Sequence, residues 1–328
     1  MFKKMLVRTL ATAIVAATAG TAFAADATDW PKRPVQVVVP ANAGGDTDFN
    51  ARTMAKYFTQ LTGKSMVITN MAGGGGTIAV SQVQGAKPDG NTILFAHTGQ
   101  LVVNEVSGLT EDSFDVLDIA CIAAVDKGAV FVSSKASGIK DVKDLVDKAK
   151  AAPGTVVYGT EMGGFSHLQG LMFEKLAGVK LKFVDSGSAA EKVTSLLGGR
   201  ADLGAISFGV VQDYVAKGDM VAIAQPNAER NALLGEIKTF REQGVDMVMD
   251  KPYIIAFPKG TDPAIVAKMS SIMKQITEKP EYAQDLEKAY KQPVSFHGTA
   301  EALEILKQTR QNRSEERRVG KECVRLCR

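Results

Sequence analysis

Four glycine-rich loops of this 328-residue chain carry the residue types that bind small anions. They span residues 42–47, 72–77, 161–166 and 185–189, and each stands between a predicted strand and a predicted helix. Glycine lets backbone N–H groups approach a ligand closely, and the free N–H groups at a helix start favour a negative charge. The same residue types also form ordinary turns and helix caps, so the pattern alone leaves both interpretations open.

None of the four loops contains Arg or Lys, so we expect backbone N–H groups and hydroxyls to hold a small carboxylate. On this view Gly44→Val or Gly187→Val weakens binding about 100-fold or more. Arg52 and Lys192 are expected to be exposed charges whose loss costs under about 1 kcal/mol. The candidate ligand-binding residues are Ala43, Gly44, Asp46, Thr47, Gly76, Thr77, Thr98 and Gly99 in the first half of the chain, and Gly164, Phe165, Ser166, His167, Ser186, Gly187, Ser188 and Ser207 in the second.

Two enzymatic functions remain as alternatives. Residues 164–168 begin like the nucleophile turn of an exported hydrolase, with Ser166 and His167 adjacent, but the closing glycine is missing. The glycines from Gly73 to Gly76 stand where an NAD-type dehydrogenase has its fingerprint, but the acid expected about 20 residues later is absent. The three histidines are too dispersed for ordinary zinc spacing. We expect no metal and no cofactor.

The loops need a scaffold, and the rest of the chain predicts one in which strands and helices alternate. Short apolar runs with β-branched residues predict strands, and apolar residues three or four apart predict helices. Such alternation favours an α/β fold with parallel sheets flanked by helices. Predicted strands are 35–39, 66–69, 92–95, 156–158, 182–184 and 202–206, and predicted helices are 50–62, 78–84, 142–151, 167–177, 191–197 and 210–216.

The length predicts two domains, although no long linker divides the chain. The apolar runs 118–132, 221–225 and 247–257 are longer or more isolated than a strand–helix unit needs, so we expect the chain to cross between domains there. The predicted first domain is discontinuous, residues 25–120 with 226–312, and the predicted second domain is 121–225.

Each end of the chain carries a basic excess of its own. Residues 1–24 combine a basic start, an apolar stretch and a small-x-small ending, which predicts a signal peptide cleaved near Ala24 or Ala25 and export to the periplasm. Residues 313–328 resemble a translated sequencing adapter and begin abruptly inside a predicted helix, so we expect a non-native tail. Without these segments the formal charge falls from +3 to −3, which disfavours nucleic acid as a partner.

Six short blocks of residues occur in order along residues 30–312. Together they resemble the substrate-binding proteins of tripartite tricarboxylate transporters, the TctC/Bug family. No single block is specific, but six in register are. The blocks are Val38-Val39-Pro40 with Ala43-Gly44-Gly45 and Asp48; Asn70 with Gly73, Gly75, Gly76 and Pro88-Asp89-Gly90; Ser166-His167-Leu168 with Phe173; Gly187-Ser188-Ala189 with Leu196-Leu197-Gly198-Gly199 and Asp202; Lys217-Gly218 with Glu229-Arg230; and Phe257-Pro258-Lys259-Gly260-Thr261.

The resemblance implies a two-domain periplasmic binding protein fold with a ligand cleft between the domains and crossing strands as the hinge. It implies capture of a small organic carboxylate rather than catalysis. It also implies delivery of the ligand to a membrane permease of one large and one small subunit. We therefore expect a periplasmic solute-binding protein that acts as a monomer.

Departures from the family pattern bear on the ligand. Asp185-Ser186 replaces a Tyr-Lys pair, and Ser207-Phe208-Gly209 replaces polar residues. Asp185 adds a negative charge near the expected anion, so it either points away or meets a basic or hydroxyl group. Phe165 and Phe208 are expected to form an apolar wall, which favours an aromatic or aliphatic acid.

Overall fold

The computed structural model describes residues 29–104 and 113–311, which form two five-stranded sheets with helices on both faces. The predicted signal peptide at 1–24 and the predicted tail at 313–328 lie outside the described residues. Within the described ranges no helix is long and apolar enough to cross a membrane.

The first sheet has the strand order β2-β1-β3-β10-β4. Its strands are β1 (Val35–Val39), β2 (Met66–Asn70), β3 (Thr92–His97), β4 (Leu117–Asp126) and β10 (Lys251–Pro258). One face packs on α1 (Asp46–Thr62), α7 (Pro263–Thr277) and α8 (Pro280–Tyr290), and the other packs on α2 (Thr77–Gln84) and α9, which is helical over 299–311.

The second sheet has the strand order β7-β6-β8-β5-β9. Its strands are β5 (Ala129–Ser134), β6 (Val157–Thr160), β7 (Lys182–Asp185), β8 (Leu203–Ser207) and β9 (Met220–Ala224). One face packs on α3 (Val142–Ala151) and α4 (Phe165–Ala177), and the other packs on α5 (Ala189–Leu197) and α6 (Phe208–Ala216).

Both sheets are mixed. The prediction of parallel sheets is wrong for one strand in each sheet, which pairs antiparallel with both of its neighbours. In the first sheet β10 runs antiparallel to both β3 and β4, and in the second sheet β5 runs antiparallel to β8 and β9. In each sheet the antiparallel strand is the one that enters directly from the other sheet. The direction of such a strand is set by the crossing, which local apolar patterns do not encode.

Five of the six predicted helices begin earlier than apolar periodicity predicts, and α3 begins at Val142 as predicted. The structure starts α1 at Asp46 rather than at 50, and α4 at Phe165 rather than at 167. Both first turns hold polar residues beside apolar ones, and capping residues of this kind carry no periodic signal. The starts matter because these first turns face the site described below.

The chain crosses between the sheets twice. The apolar run 118–132 is divided between β4 in the first sheet and β5 in the second, with residues 127–128 between them. On the return path, Met247 and Met249 pack in the second core just before β10 joins the first sheet. The exact boundaries of two domains at 120/121 and 225/226 stay a prediction.

Close backbone packing joins the two halves beside the crossings. Ser207 Oγ donates a hydrogen bond of 2.9 Å to Tyr290 O, at the end of α8. A Cβ atom on Gly128 would overlap Tyr290 O, and one on Gly209 would overlap Ala289 O. Gly209 therefore lets the start of α6 approach the end of α8, and Gly128 lets the crossing between β4 and β5 do the same.

Gly170 offers a test of the packing of α4. An ideal Cβ there would lie 2.5 Å from Phe183 Cε1 and 3.0 Å from Tyr158 Cε1. Alanine ordinarily stabilises a helix interior by about 1 kcal/mol relative to glycine, but here overpacking opposes that gain. We expect Gly170→Ala to lower the free energy of unfolding by about 1–3 kcal/mol in urea titrations. Gly85→Ala is the control, because its Cβ would make only an ordinary 3.5 Å contact. Equal stability of the two variants would contradict the packing argument.

Candidate functional site

A cavity of about 130 Å³ lies between the two sheets, lined by loops from both halves of the chain. The loops meet at its mouth, where Asn42 Nδ2 donates a 3.3 Å hydrogen bond to Glu161 Oε1. Beside this bond, a Cβ on Gly75 would lie 3.5 Å from Gly163 O. The structure therefore presents the cleft with its two rims in contact.

The cavity brings together half of the residues predicted for the ligand site. The glycine-rich loops contribute to the lining as expected, although several of their residues face elsewhere. Ligand contact stays a prediction for all sixteen residues. Those that line the cavity are Asp46, Thr47, Gly76, Gly164, Phe165, Ser166, Ser188 and Ser207, and those that do not are Ala43, Gly44, Thr77, Thr98, Gly99, His167, Ser186 and Gly187.

Three glycine amides of the loops have acceptors within the protein. Gly44 N–H donates to Asp48 Oδ2 at 2.9 Å, and Gly76 N–H donates to Gly73 O at 2.9 Å. Gly187 N–H donates to Asp185 Oδ1 at 3.1 Å. These three N–H groups are therefore engaged within their own loops, and binding of an anion by the loop amides stays a prediction.

Lys192 is the main correction to the sequence analysis. It was expected to be exposed, but it is only 8% exposed and lines the cavity. Its Nζ donates to Ser166 Oγ at 2.9 Å, and Ala205 O lies 3.5 Å away. Among the described residues no carboxylate forms an ion pair with it. Burial lowers the pKa of Lys192, while the charges of Asp46 and Glu161 oppose this shift.

The position of Lys192 follows from the start of α5. Ser188 caps this helix, its hydroxyl accepting from the Glu191 amide while the Glu191 side chain returns to the Ser188 backbone. Lys192 stands four residues after the cap, one helical turn along the same face. Ser188 and Lys192 therefore line the cavity together, and this spacing was a signal available in the sequence.

Gln169 supplies a second unexpected donor. Its side chain is 3% exposed and lines the cavity, and its Nε2 has no hydrogen-bond partner among the described residues. Gln169 stands one turn after Ser166 on α4, whose first amides have no acceptor within the helix. We call Ser166, Gln169 and Lys192, with the start of α4, the donor wall.

The contacts of Ser166 do not fit a nucleophile activated by histidine. Ser166 Oγ lies 2.7 Å from Thr160 Oγ1 and accepts from Lys192. His167 Nδ1 instead accepts a 3.2 Å hydrogen bond from Gly163 N–H. A general base must reach the nucleophile directly, and no hydrogen bond joins Ser166 to His167 in the part of the chain that the structure describes.

On the opposite side, an ion pair fills the start of α1. Lys251 Nζ lies 2.5 Å from Asp46 Oδ2, and Asp46 Oδ1 accepts from Thr47 N–H at 2.7 Å. Burial would raise the pKa of Asp46, but the charge and hydrogen bond of Lys251 outweigh it and hold this pKa well below its ordinary value. Lys251 Nζ also lies 5.3 Å from the Phe165 ring centroid, so this lysine contacts both halves.

Two further acids line the cavity near this ion pair. Burial raises the pKa of Asp126 to about 6, aided by the negative charge of Asp46, while Lys251 and the Gly128 N–H oppose the shift. Burial also raises the pKa of Glu161, and here Lys192 and Lys251 oppose it. We call Asp46, Asp126 and Glu161 the acidic wall.

Two further residues that the sequence analysis placed near the ligand, Phe208 and Asp185, do not line the cavity. Phe165 lines the cavity, but Phe208 packs on the second core instead, so the predicted pair of aromatic residues is wrong. Asp185 is exposed, accepts from the Gly187 N–H and does not line the cavity. His97 is buried beside Phe165 with ring centroids 5.4 Å apart. Burial, with the charge of Lys251, holds the pKa of His97 well below its ordinary value.

Metal chemistry has no evident site here. Within 29–104 and 113–311, no group of three or more His, Cys, Asp or Glu side chains is arranged to hold a metal ion.

Two α/β halves that enclose a polar cavity between their sheets define a two-domain solute-binding protein. The solved periplasmic binding protein BugD is 25% identical, with a TM-score of 0.74 over 87% of this chain and 97% of that chain. MatC from Rhodopseudomonas palustris, solved with bound malate, is 20% identical, with a TM-score of 0.77 over 87% of this chain and 99% of that chain. The predicted fold class is confirmed.

The family follows from the sequence match. Residues 50–317 match the model of the tripartite tricarboxylate transporter family receptor, and the chain belongs to this family. Protein BugT of Bordetella pertussis is 28% identical over 261 residues, which cover 78% of this chain and 80% of BugT. The resemblance to the TctC/Bug proteins is confirmed. The family consists of solute-binding receptors, which supports solute binding over the hydrolase and dehydrogenase alternatives.

Asp126 generates a prediction about stability and pH. Its pKa is about 6 in the folded protein against an unperturbed 3.8, so its charge penalises the fold. The neutral carboxyl group therefore stabilises the folded protein relative to the charged one. This contribution to the free energy of unfolding is fully present below about pH 4 and is lost as the pH rises through about 6. Asp126→Asn keeps an acceptor for the Gly128 N–H without the charge. We expect this variant to be more stable than the parent by about 1–3 kcal/mol at pH 8 and equally stable at pH 4.

Urea unfolding at both pH values measures this difference. The exposed Asp219 serves as the control, since Asp219→Asn is expected to change stability little at either pH. A variant Asp126→Asn that is no more stable than the parent at pH 8 would show that burial of this charge carries no cost.

Proposed function

We propose that the protein captures one small organic carboxylate in its cleft and delivers it to the large and small membrane subunits of a tripartite tricarboxylate transporter. One observation carries the proposal: Lys192 is a buried lysine in the cavity wall without a carboxylate partner among the residues described. An amino group in this setting is the natural partner of an anionic ligand.

The electrostatic argument rests on desolvation. A buried ammonium group without a counter-ion is costly, and a pairing anion offsets part of that cost. A lysine has three N–H donors, of which Ser166 Oγ takes one at 2.9 Å and Ala205 O takes another at a long 3.5 Å. A ligand carboxylate would accept the rest, and Gln169 Nε2 would become satisfied by the second carboxylate oxygen.

The start of α4 supports the same placement. The first N–H groups of α4 have no acceptor within the helix and lie at the end that carries a partial positive charge. Helix ends of this kind bind anions. Because Lys192 donates to Ser166 in the first turn, the side-chain charge and the helix end act on one position. A carboxylate placed there meets donors from two helices, α4 and α5.

The cavity favours a small ligand. Its volume of about 130 Å³ is close to the ~150 Å³ of a cavity that encloses benzene. Malate is the ligand in the related fold of MatC, which supports a compact carboxylate for this chain as well.

Capture is proposed to couple to closure of the cleft. A ligand stabilises the closed state by binding it better than the open one. Contacts between the halves, such as Asn42 with Glu161 and Lys251 with Phe165, would form on closure. The proposed moving units are residues 25–120 with 226–312, and residues 121–225.

The cellular setting belongs to the same proposal. Family members include periplasmic binding proteins, and we propose that this chain reaches the periplasm after cleavage near Ala24 or Ala25. It would act there as a monomer that binds without catalysis and without a cofactor.

The test is the loss of the Lys192 charge. A panel of two- to six-carbon mono-, di- and tricarboxylates is first screened for a rise in thermal midpoint, which ligand binding to the native state requires. We expect at least one acid to bind, and Lys192→Met to weaken its binding at least about 30-fold, or ~2 kcal/mol, in calorimetric titration. The exposed Lys182 is the matched control, and Lys182→Met is expected to bind as the parent does.

Two results would contradict the proposal. One is a screen in which no carboxylate raises the midpoint. The other is a Lys192→Met protein that folds normally and binds the best acid as tightly as the parent, which would move the anion elsewhere in the cleft.

A further inference from the structure

The two sides of the cavity differ in the sign of the charge that they offer. The donor wall carries Lys192, Ser166 and Gln169, and among the residues described no carboxylate pairs with Lys192. The acidic wall carries Asp46, Asp126 and Glu161. A ligand that fills the cavity therefore meets donors on one side and acceptors on the other.

The start of α1 is closed to a ligand anion. Asp46 already occupies it as the negative partner, since Oδ1 accepts from the Thr47 N–H and Oδ2 pairs with Lys251. Lys251, the other lysine of the cavity, is thereby neutralised. A second carboxylate on the ligand finds no free cation on this side.

Counting the charges leaves an acidic surplus near the acidic wall. The Asp46–Lys251 pair is neutral as a unit, and a ligand carboxylate would neutralise Lys192. Asp126 and Glu161 then remain without a lysine of their own in the cavity. A second anionic group of the ligand would meet like charges in a partly desolvated site, which is repulsive. A cationic group would meet partners.

The two walls are close enough for one small molecule to span. Lys251, the partner of Asp46, lies with its Nζ 5.3 Å from the Phe165 ring centroid, and the next residue, Ser166, accepts from Lys192 Nζ at 2.9 Å. Asp46 and Lys192 do not form an ion pair with each other. The cavity lies between them with both residues in its lining. The space therefore separates a cation from an anion that are too far apart to satisfy each other.

We propose that the ligand is a small amino acid in its zwitterionic form, with its carboxylate on the donor wall and its ammonium group toward the acidic wall. This inference rests on the proposed function and adds to it the class of acid. Asp46 is the residue that sets the preference, because it both neutralises Lys251 and faces the ligand. The wall then excludes dicarboxylates by repulsion as well as by the lack of a cation.

The first experiment compares matched ligands that differ in one group. The pairs are glycine with malonate, 3-aminopropanoate with succinate, and L-alanine with methylmalonate, in each of which a carboxylate replaces the ammonium group, titrated calorimetrically at pH 7.5. We expect at least one amino acid to bind 10-fold or more tightly than its diacid, and no diacid to bind more tightly than its amino acid.

The second experiment changes the acidic wall. Asp46→Asn removes the negative charge and frees Lys251, so the ratio of amino acid to diacid affinity is expected to fall at least 10-fold. Asp185→Asn is the matched control, because Asp185 is an exposed acid of another glycine-rich loop, at the end of β7, and does not line the cavity. Its ratio is expected to match the parent. If Asp46→Asn does not fold, Glu161→Gln takes its place, because it removes a charge of the acidic wall and retains an acceptor for Asn42. It is also expected to lower the ratio of amino acid to diacid affinity.

The outcomes separate this inference from the proposed function. Diacids that bind more tightly than amino acids, with binding lost in Lys192→Met, would overturn the zwitterion and leave carboxylate capture standing. A preference for amino acids that Asp46→Asn and Glu161→Gln leave unchanged would overturn the role of the acidic wall. Absence of binding by every acid would overturn both.

Discussion

The ion pair between Asp46 and Lys251 sets the distribution of charge that the cleft presents. It joins the start of α1 to the strand that re-enters the first sheet, across 205 residues of sequence. The positive end of α1 would otherwise attract an anion from solution, but the protein places its own carboxylate there. The cleft is thereby left with one lysine outside an ion pair in its described lining, Lys192. On the proposed function, the ligand then has one place for an anion rather than two.

The same ion pair lies where the chain passes between the halves. Lys251 is the first residue of β10, and its partner in the antiparallel register is Asp126, the last residue of β4. Strand ends that project into a cleft cannot all be covered by apolar packing, so charged residues are tolerated there if they pair. Lys251 pairs with Asp46, whereas Asp126 forms no ion pair among the described residues and accepts from the Gly128 N–H. Burial and the negative charge of Asp46 therefore raise the pKa of Asp126 more than Lys251 and this hydrogen bond lower it.

Local sequence signals specified the elements but not the charges of the site. The strands and the order of loops could be predicted because apolar runs and glycine turns are short-range patterns. Mixed sheet directions could not, because they depend on where β5 and β10 enter. Lys192, Lys251 and Asp126 were missed for a related reason: a lone charge near an apolar run is ordinarily exposed. Its burial depends on contacts such as Asp46 with Lys251, which no local window contains.

The glycine loops matter in a way that differs from the one expected. Several of their amides satisfy the loops themselves, as Gly44 does with Asp48, so these glycines give the loops their shape. On the proposed function, recognition also relies on side chains in the first turns of the helices that follow the loops, Ser166 and Lys192 among them. Side-chain charges can change in sign through single substitutions, whereas a backbone amide always donates. A cleft built in this way can alter its ligand class while its fold and loops stay the same.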